Sequence, residues 1–273
     1  MSDEMMRLDA LLVAKGCVSG REKAKELIEN GAVTVSGKII TKASVKVPCD
    51  SEIKCDTTSV RFVGRGGFKL EKALAVSGVD VNGAVAMDVG ASTGGFTDCL
   101  LQSGAKKVYA IDVGTDQLHP VLREDPRVVV LEGTDVRSPM LGEIIPACSV
   151  DVCAIDVSFI SLTRVLPAVL PFLKGGAIVL CLIKPQFEAG KSGIGKKGVV
   201  RDAKVHRRVL EELCVFFNEM ALSVQTLDFS PITGGEGNIE FLAALVYSNA
   251  KPCAPLPVSV KDVVEAAHKM FKR

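Results

Sequence analysis

The stretch Val85-Ala-Met-Asp-Val-Gly-Ala-Ser-Thr-Gly-Gly-Phe96 decides the fold of this chain. It begins with a short apolar run that reaches Asp88, and a turn with almost no side chains leads into an apolar-periodic segment, 96–101. This pattern predicts a strand that enters a helix through a glycine-rich turn. Glycines let the backbone approach a ligand closely, and the helix N-terminus supplies N–H groups without intrahelical partners. We therefore predict a ligand-binding turn at the carboxyl end of a parallel sheet.

The turn differs from two common phosphate-binding motifs. Ser92 stands at the second glycine of the dinucleotide pattern G-x-G-x-x-G, and no Gly-Lys-Ser/Thr follows, as a P-loop requires. A second predicted strand, Tyr109-Ala-Ile-Asp112, also ends in a carboxylate, at a spacing typical of a ribose-binding acid. Together these features favour an S-adenosylmethionine site, with Asp112 on the ribose hydroxyls and Asp88 near the methionine end. The alternative is an ordinary strand–helix turn with two solvated acids.

From Val85 onward, predicted strands alternate with predicted helices, which indicates an α/β fold with a mostly parallel sheet covered on both faces. The last two predicted strands, 223–229 and 240–246, form an antiparallel hairpin. The predicted fold class is therefore a Rossmann-like class I methyltransferase sheet, mostly parallel with its last strand antiparallel. The other predicted strands end near Asp88, Asp112, Leu131, Asp156 and Lys184.

Composition limits the classes of protein to which the chain can belong. Its 273 residues, 48% of them hydrophobic, can form one large core or two smaller ones, and the net charge of +1 means that any basic surface is local. The apolar run 177–183 is far shorter than the ~20 residues that span a bilayer, and no signal-peptide pattern opens the chain. The nine cysteines form no C-x-x-C motif. We expect reduced thiols, no metal site, no membrane association and a cytoplasmic location.

Residues 1–60 are predicted to form a small α+β domain, with two helices followed by short strands. The order of its motifs resembles the alpha-L RNA-binding module, the domain of ribosomal small-subunit protein four. The matching motifs are Arg7-Leu-Asp-x-x-Leu12, Ser19-x-Arg21-x-x-Ala24, Ile28-x-x-Gly31-x-Val33-x-Val35-x-Gly37 and Lys38. The resemblance implies a basic surface suited to phosphate contacts; a small helical hairpin on a sheet with a solvated charged face is the alternative.

The remaining domain boundaries follow from composition. The glycine-rich stretch 61–67 is predicted to be an interdomain linker. The methyltransferase domain is predicted over 68–250, and 251–273 is predicted to contain a proline-containing linker and a C-terminal helix.

Four charged residues stand at the ends of predicted elements. Lys69 follows the glycine-rich stretch, and Glu240 stands where the last strand begins. Asp156 and Lys184 each close an apolar strand, so in a parallel sheet both would face the crevice above the carboxyl ends. Solvated loop charges or structural ion pairs are the alternatives. They are weakest for Lys184, because a lysine that closes a buried strand is partly desolvated.

Residues 5–248 resemble the TlyA family, known both as haemolysins and as ribosomal RNA 2′-O-methyltransferases, in which an alpha-L module precedes an FtsJ-like methyltransferase domain. The motifs that carry the resemblance are Arg65-Gly-Gly-Phe-Lys69-Leu, Asp88-Val-Gly-Ala-Ser-Thr-Gly-Gly-Phe-Thr97, Asp112-Val-Gly-Thr-Asp-Gln-Leu118, Asp125-Pro-Arg-Val128, Asp156-Val-Ser-Phe-Ile-Ser161, Lys184-Pro-Gln-Phe-Glu188 and Ser230-Pro-Ile-Thr-Gly-Gly-Glu-Gly-Asn-Ile-Glu240. One departure from the family pattern is His119-Pro120, where a larger apolar or aromatic residue and no proline are expected.

The resemblance implies roles for individual residues. FtsJ-like enzymes use a Lys-Asp-Lys-Glu tetrad, which falls on Lys69, Asp156, Lys184 and Glu240, with Lys184 as the candidate general base. The implied cofactor-binding residues are Asp88, Gly90, Ser92, Gly94, Gly95, Phe96, Asp112 and Asp135.

A basic segment follows Lys184, and within it residues 190–198 are predicted to form a loop over the site. We interpret this loop as an RNA backbone clamp, with a solvated loop as the alternative. The predicted RNA-binding residues are Arg7, Arg21, Lys25, Lys38, Lys42, Arg65, Lys191, Lys196 and Lys197.

These observations predict an S-adenosylmethionine-dependent enzyme that methylates a ribose 2′-hydroxyl in ribosomal RNA or ribosomal subunits, without an obligate protein partner. Three alternatives remain at this point. The chain could be a ribosome-assembly factor with weak or no catalysis, a membrane-active haemolysin, or a methyltransferase for small molecules.

Overall fold

The computed structural model describes residues 5–18, 20–29, 31–55, 61–190, 193–195, 198–234, 236–248 and 259–272. The chain divides into two compact units, Met1–Arg65 and Gly66–Arg273.

The first unit is a small α+β domain. It contains two antiparallel sheets. One consists of β1 (Met5–Arg7) and β4 (Lys46–Pro48), and the other has the strand order β3 (Lys38–Ile39), β2 (Val33–Val35), β5 (Ile53–Cys55). Leu8 and Leu12 lie one helical turn apart, and both pack against Leu27 and Ile28 in a fully buried core. The elements of this unit are β1 (Met5–Arg7), α1 (Leu8–Ala14), α2 (Arg21–Glu29), β2 (Val33–Val35), β3 (Lys38–Ile39), β4 (Lys46–Pro48) and β5 (Ile53–Cys55).

The second unit alternates strands and helices along most of its length. A 3-10 turn, Leu170–Phe172, follows the helix Leu162–Val169. The elements are α3 (Gly66–Ser77), β6 (Val85–Val89), α4 (Gly95–Gln102), β7 (Lys107–Ile111), α5 (Pro120–Arg123), β8 (Val128–Leu131), α6 (Leu141–Ile144), β9 (Val150–Ile155), α7 (Leu162–Val169), β10 (Leu173–Ile183), α8 (Pro185–Glu188), α9 (Ala203–Glu219), β11 (Leu222–Phe229), β12 (Phe241–Tyr247) and α10 (Val260–Met270).

One seven-stranded sheet forms the centre of the second unit, with the order β11-β12-β10-β9-β6-β7-β8. The strands from β10 to β8 pair in parallel, whereas β12 pairs antiparallel with both of its neighbours. The predicted mostly parallel sheet with a reversed last strand is therefore confirmed. Because the order reverses direction along the chain between β6 and β9, the turns that follow these strands open a crevice at the carboxyl edge.

Apolar strands and one long helix supply most of the core. Residues 152–155 of β9 and 179–183 of β10 are buried throughout, as expected for parallel strands covered on both faces. Helix α9 begins at its N-cap Asp202 and buries Phe217 completely. In the part of the chain that the structure describes, no helix combines the length and the apolar character needed to cross a bilayer.

Candidate active site

The turn between β6 and α4 adopts conformations that explain its glycines. Gly90 has a φ of +88°, and a Cβ there would lie 2.6 Å from the carbonyl oxygen of Asp156. Ser92 has a φ of +48°, and its N–H donates to Asp112 Oδ2 at 2.7 Å. Ser92 therefore occupies the left-handed region without being glycine, because its backbone hydrogen bond to Asp112 stabilises that conformation.

The departure at His119-Pro120 forms the start of a helix. His119 is the N-cap of α5 and accepts a hydrogen bond from the N–H of Val121, and Pro120 is the first helical residue, where an N–H would have no helical partner. Leucines of this region pack over Gly94, whose Cβ would lie 2.2 Å from Leu122. The proline is thus compatible with an ordered wall beside the glycine-rich turn.

Two acids at strand ends hold the neighbouring loops. Asp112 follows β7 and also accepts the N–H of Gly114 at 2.7 Å. Glu132 follows β8 and accepts the N–H groups of three consecutive residues, 116–118, at 2.8–2.9 Å. These N–H groups, with that of Leu118 contributing most, lower the pKa of Glu132 to about 2. Sequence reasoning missed Glu132, although it carries the same signal as Asp112, an acid directly after a parallel strand.

A cavity of about 540 Å³ lies at the carboxyl edge of the sheet, within the size range of small-molecule sites. Four of the predicted cofactor residues line it, namely Gly90, Ser92, Asp112 and Asp135, together with Asp156. The other walls come from the segments after β7, β8 and β9. Polar and apolar groups therefore line the same cavity.

Asp135 is held in place by an exposed arginine. Its carboxylate accepts from Arg137 at 2.6 and 2.9 Å, and the Arg137 guanidinium lowers the pKa of Asp135 to about 2. Asp135 is therefore ionised at neutral pH at the wall of the cavity.

Asp88 differs from these acids because it is completely buried and does not line the cavity. Its Oδ2 accepts from the hydroxyl of Thr97 at 2.6 Å. Burial raises the pKa of Asp88 to about 7, although the hydrogen bonds from Thr97 favour the ionised form. Asp88 is thus buried apart from the residues that line the cavity.

Lys184 and Asp156 form an ion pair where two adjacent strands end. Lys184 Nζ lies 2.6 Å from Asp156 Oδ1 and 2.8 Å from Ser158 Oγ. Lys184 is 9% exposed, so its amine is largely shielded from solvent. β9 and β10 are parallel neighbours, which is why their terminal residues meet at one point of the crevice.

Lys69 and Glu240 form a second, more deeply buried pair. Lys69 Nζ donates to Glu240 Oε2 at 2.7 Å, and both side chains are less than one-tenth exposed. Ile183 faces Phe241 across β10 and β12, so Lys184 and Glu240 extend from paired positions of neighbouring strands. The four predicted tetrad residues therefore lie in two ion pairs at one edge of the sheet.

Helix α3 brings the buried pair toward Asp156. It begins at Gly66, within the stretch 61–67 that was predicted to be an interdomain linker, and Lys69 lies in its first turn. A Cβ at Gly66 would lie 3.2 Å from the ring of Phe96 and 3.8 Å from Asp156 Oδ2. The glycines can therefore belong to the helix because its first turn packs closely against Phe96, at the start of α4.

Phe159 was not singled out from the sequence. It lines the cavity, is 90% exposed and has a φ of +65°, a conformation that is rare for a bulky residue. Its ring contacts Phe187 at a centroid distance of 5.1 Å. The sequence signal that could have identified it is an aromatic residue three positions after Asp156, within the motif 156–161.

In the first unit, two predicted RNA-binding arginines share one carboxylate. Asp9, which is 5% exposed, accepts from Arg7 at 2.7 and 3.0 Å and from Arg21 at 3.2 Å. The hydrogen bonds from Arg7 contribute most to lowering the pKa of Asp9 to about 2. Both guanidiniums are thus fixed while much of each remains exposed.

The other predicted RNA-binding residues differ in their exposure. Lys25, Lys38 and Lys42 are exposed, and Arg65 is half-buried. The predicted clamp residues Lys191, Lys196 and Lys197 lie outside the described residues.

Family models match both units. A model of FtsJ-like methyltransferases matches residues 62–247, and a model of the S4 domain matches residues 6–53. The chain is 44% identical over 274 residues to "Putative rRNA methyltransferase YqxC" of Bacillus subtilis, with 100% of this chain and 97% of the relative covered. It is 38% identical over 264 residues to "16S/23S rRNA (cytidine-2'-O)-methyltransferase TlyA" of Mycobacterium tuberculosis, with 96% of each covered.

Among solved structures, the chain is similar to "Putative hemolysin from Streptococcus thermophilus", with a TM-score of 0.76 and 44% sequence identity. The match covers 99% of this chain and 98% of that structure. The similarity therefore extends over both units and is not confined to the common methyltransferase sheet.

Proposed function

Because the chain belongs to the TlyA family of FtsJ-like methyltransferases, we propose that it methylates a ribose 2′-hydroxyl of ribosomal RNA through its two ion-paired lysines. Dependence on S-adenosylmethionine belongs to the family. The mycobacterial relative is named as a cytidine-2'-O-methyltransferase, which supports a cytidine ribose as the acceptor.

The Lys184–Asp156 pair is the observation that carries the proposal. Asp156 lines the cavity that also contains Asp112, Gly90 and Ser92, and Lys184 Nζ lies 2.6 Å from its Oδ1. Groups suited to a nucleoside therefore share the cavity with the carboxylate that holds the Lys184 amine. The fit of S-adenosylmethionine is supported by the carboxylate of Asp112 at the end of β7, the position that binds ribose in such folds.

Bound S-adenosylmethionine supplies an electrophilic methyl group. In the proposed reaction, Lys184 acts in its amine form, after its ammonium has passed a proton to solvent, and accepts the proton of the ribose 2′-hydroxyl as the hydroxyl oxygen bonds to the methyl carbon. The methyl–sulfur bond breaks at the same time, and its electron pair leaves with the sulfur of S-adenosylhomocysteine. Asp156 holds the Lys184 side chain and stabilises the ammonium ion that forms, since the two groups lie 2.6 Å apart. Holding acceptor and donor in line contributes a further part of the acceleration.

Lys69 and Glu240 are proposed to act beside this pair. Their buried ion pair fixes the Glu240 carboxylate next to the strand that carries Lys184. Glu240 would then orient the ribose, and Lys69 would balance its charge. Removing either partner would leave an uncompensated buried charge, so these two residues are poor choices for a first test.

RNA recognition is assigned to both units in this proposal. Arg7 and Arg21 of the S4 domain present ordered guanidiniums, which suit phosphate oxygens. At the cavity, the exposed ring of Phe159 offers a surface on which an unstacked base can lie. The substrate class that fits both features is structured ribosomal RNA, free or in a ribosomal subunit.

The test is transfer of labelled methyl from S-adenosylmethionine to purified ribosomal subunits, with wild type, Lys184→Ala and Lys204→Ala compared. Lys204 is an exposed lysine on α9 and controls for loss of one positive charge. We expect Lys184→Ala to lose about 10²- to 10⁴-fold in rate, the usual effect of removing a general base. Cofactor and RNA binding should persist, and the modified ribose should resist alkaline cleavage.

Two results would contradict the proposal in different ways. Equal rates for Lys184→Ala and Lys204→Ala would remove Lys184 from the chemistry. The absence of transfer by the wild type to subunits and naked RNA, despite cofactor binding, would favour an RNA-binding assembly factor.

A further inference from the structure

The segment between Asp156 and helix α7 is strained and exposed, although it carries groups that contact the site. Ser158 accepts from Lys184 Nζ at 2.8 Å, and Phe159, with its φ of +65°, lines the cavity. A bulky residue persists in the left-handed region only when its surroundings hold it there. The segment therefore needs an anchor beyond its own sequence.

Glu188 provides such an anchor at the far end of the segment. Its Oε2 accepts from the hydroxyl of Ser161 at 2.6 Å, and its Oε1 accepts from the N–H of Leu162 at 2.9 Å. Ser161 is the N-cap of α7 and Leu162 is its first residue, so the carboxylate lies where negative charge favours a helix. Burial raises the pKa of Glu188, while both hydrogen bonds favour its ionised form.

The same short helix carries Lys184 and Glu188. Lys184 is the N-cap of α8, and Glu188 is its last residue. The intervening Phe187 contacts the ring of Phe159. One helical turn thus contacts the segment after Asp156 at three successive points, through Lys184, Phe187 and Glu188.

We propose that Glu188 is a positioning residue that fixes segment 157–161 and thereby keeps Asp156 and Ser158 against Lys184. This inference rests on the proposed function, in which Lys184 is the base. Glu188 acts at a distance from the reacting atoms, because its hydrogen bonds end at Ser161 and Leu162. Its loss would let the segment relax its left-handed turn and would lengthen the contacts at Lys184.

The first measurement follows the segment directly and needs no activity. The chain contains no tryptophan, so Phe159→Trp introduces a single fluorescent reporter at the strained position. We expect Glu188→Ala in this background to lower the fluorescence anisotropy and raise acrylamide quenching at least about twofold, because the segment becomes mobile. Glu143→Ala, an exposed glutamate on α6, is the matched control and should leave both values unchanged.

The second measurement uses the native Phe159 and compares kcat, KM for ribosomal subunits and cofactor Kd. Glu188→Ala should lower kcat about 10-fold or more while the cofactor Kd stays within about twofold, since misplacement by about 1 Å can cost 10²-fold. Glu188→Gln should recover much of kcat, because its amide oxygen can still accept from Leu162. If Glu188→Ala fails to fold, Ser161→Ala removes one of the two hydrogen bonds and serves in its place.

The outcomes separate this inference from the proposed function. A folded Glu188→Ala protein with wild-type kcat and an unchanged reporter would overturn the inference, while the wild type would still methylate RNA. If the wild type itself shows no methyl transfer, the proposed function fails, and the fluorescence at position 159 alone tests the anchoring role of Glu188. Increased mobility at position 159 would then support the anchoring role of Glu188, and unchanged mobility would overturn it.

Discussion

At the scale of single residues, Asp88 is the side chain whose environment departs most from what its sequence position indicates. It follows an apolar run like the other strand-end acids, yet it is fully buried. Its neighbour Thr97, in α4, supplies a hydroxyl hydrogen bond at 2.6 Å. A carboxylate held this way stabilises the start of α4 but is costly to ionise.

We therefore predict that Asp88 makes stability depend on pH. Burial raises its pKa from 3.8 to about 7, so the folded protein keeps a proton that the unfolded chain releases between these values. The free energy of unfolding should fall as the pH rises from about 4 to about 7, by at most roughly 4 kcal/mol at about 1.4 kcal/mol per pH unit. Above about pH 8 this contribution should be constant.

Denaturant unfolding of wild type and Asp88→Asn across this pH range measures the effect. The asparagine cannot titrate but keeps an oxygen that can accept from Thr97. All other carboxylates are shared by the two proteins, so their contributions cancel when the two free energies of unfolding are subtracted. The free energy of unfolding of Asp88→Asn should rise relative to that of the wild type as the pH rises. Parallel curves for the two proteins would show that Asp88 is ionised throughout.

At the scale of elements, one acid after β8 shapes a wall of the cavity. Glu132 binds three consecutive N–H groups of residues 116–118 and also pairs with Arg123 of α5. Gln117 within that loop lines the cavity. The loop has no helix or strand of its own, so its conformation depends on this carboxylate.

We predict that Glu132→Gln weakens cofactor binding with little effect on kcat at saturating cofactor. An amide has fewer acceptor sites and turns an N–H toward donors, so part of the loop loses its hydrogen bonds. An increase of about 10-fold in Kd corresponds to about 1.4 kcal/mol, within the range for bonds to a charged group. Titration calorimetry with S-adenosylmethionine measures it, and Glu124→Gln, an exposed glutamate beside α5, is the control. Equal affinities of Glu132→Gln and wild type for S-adenosylmethionine would show that the loop 116–118 does not contribute to cofactor binding.

At the scale of the whole molecule, the two compact units divide the proposed work. In the first unit, Arg7 and Arg21 both bind the buried carboxylate of Asp9. The second unit contains the cavity and the ion pairs of Lys69 and Lys184. A phosphate contact in the first unit should therefore change RNA affinity without changing cofactor affinity.

We predict that Arg21→Ala lowers the affinity for ribosomal RNA and reduces the slope of log K against log salt by about 0.7–0.9, the value for one phosphate contact. Binding measured at several salt concentrations tests this, with cofactor affinity followed in parallel. Lys54→Ala is the control, because Lys54 is an exposed cation of the same unit. The same loss of slope in both variants would mean that net charge, and not an Arg21 contact, governs binding.

Local sequence patterns predicted the alternation of strands and helices after Val85, the glycine-rich turn and the placement of Lys69, Asp156, Lys184 and Glu240 at the ends of elements. These features depend on apolar periodicity and on residues at strand ends, which act over a few positions. The reversal of the last strand was also predictable, and the antiparallel pairing of β12 with β10 and β11 confirms it.

Only the tertiary structure decided which charged groups meet. Lys69 pairs with Glu240 across 171 positions of sequence, and Lys184 pairs with Asp156. These pairings depend on the strand order β12-β10-β9 and on where α3 packs, which local patterns do not specify. The burial of Asp88 has the same origin, because desolvation is set by the neighbours that the whole fold brings together.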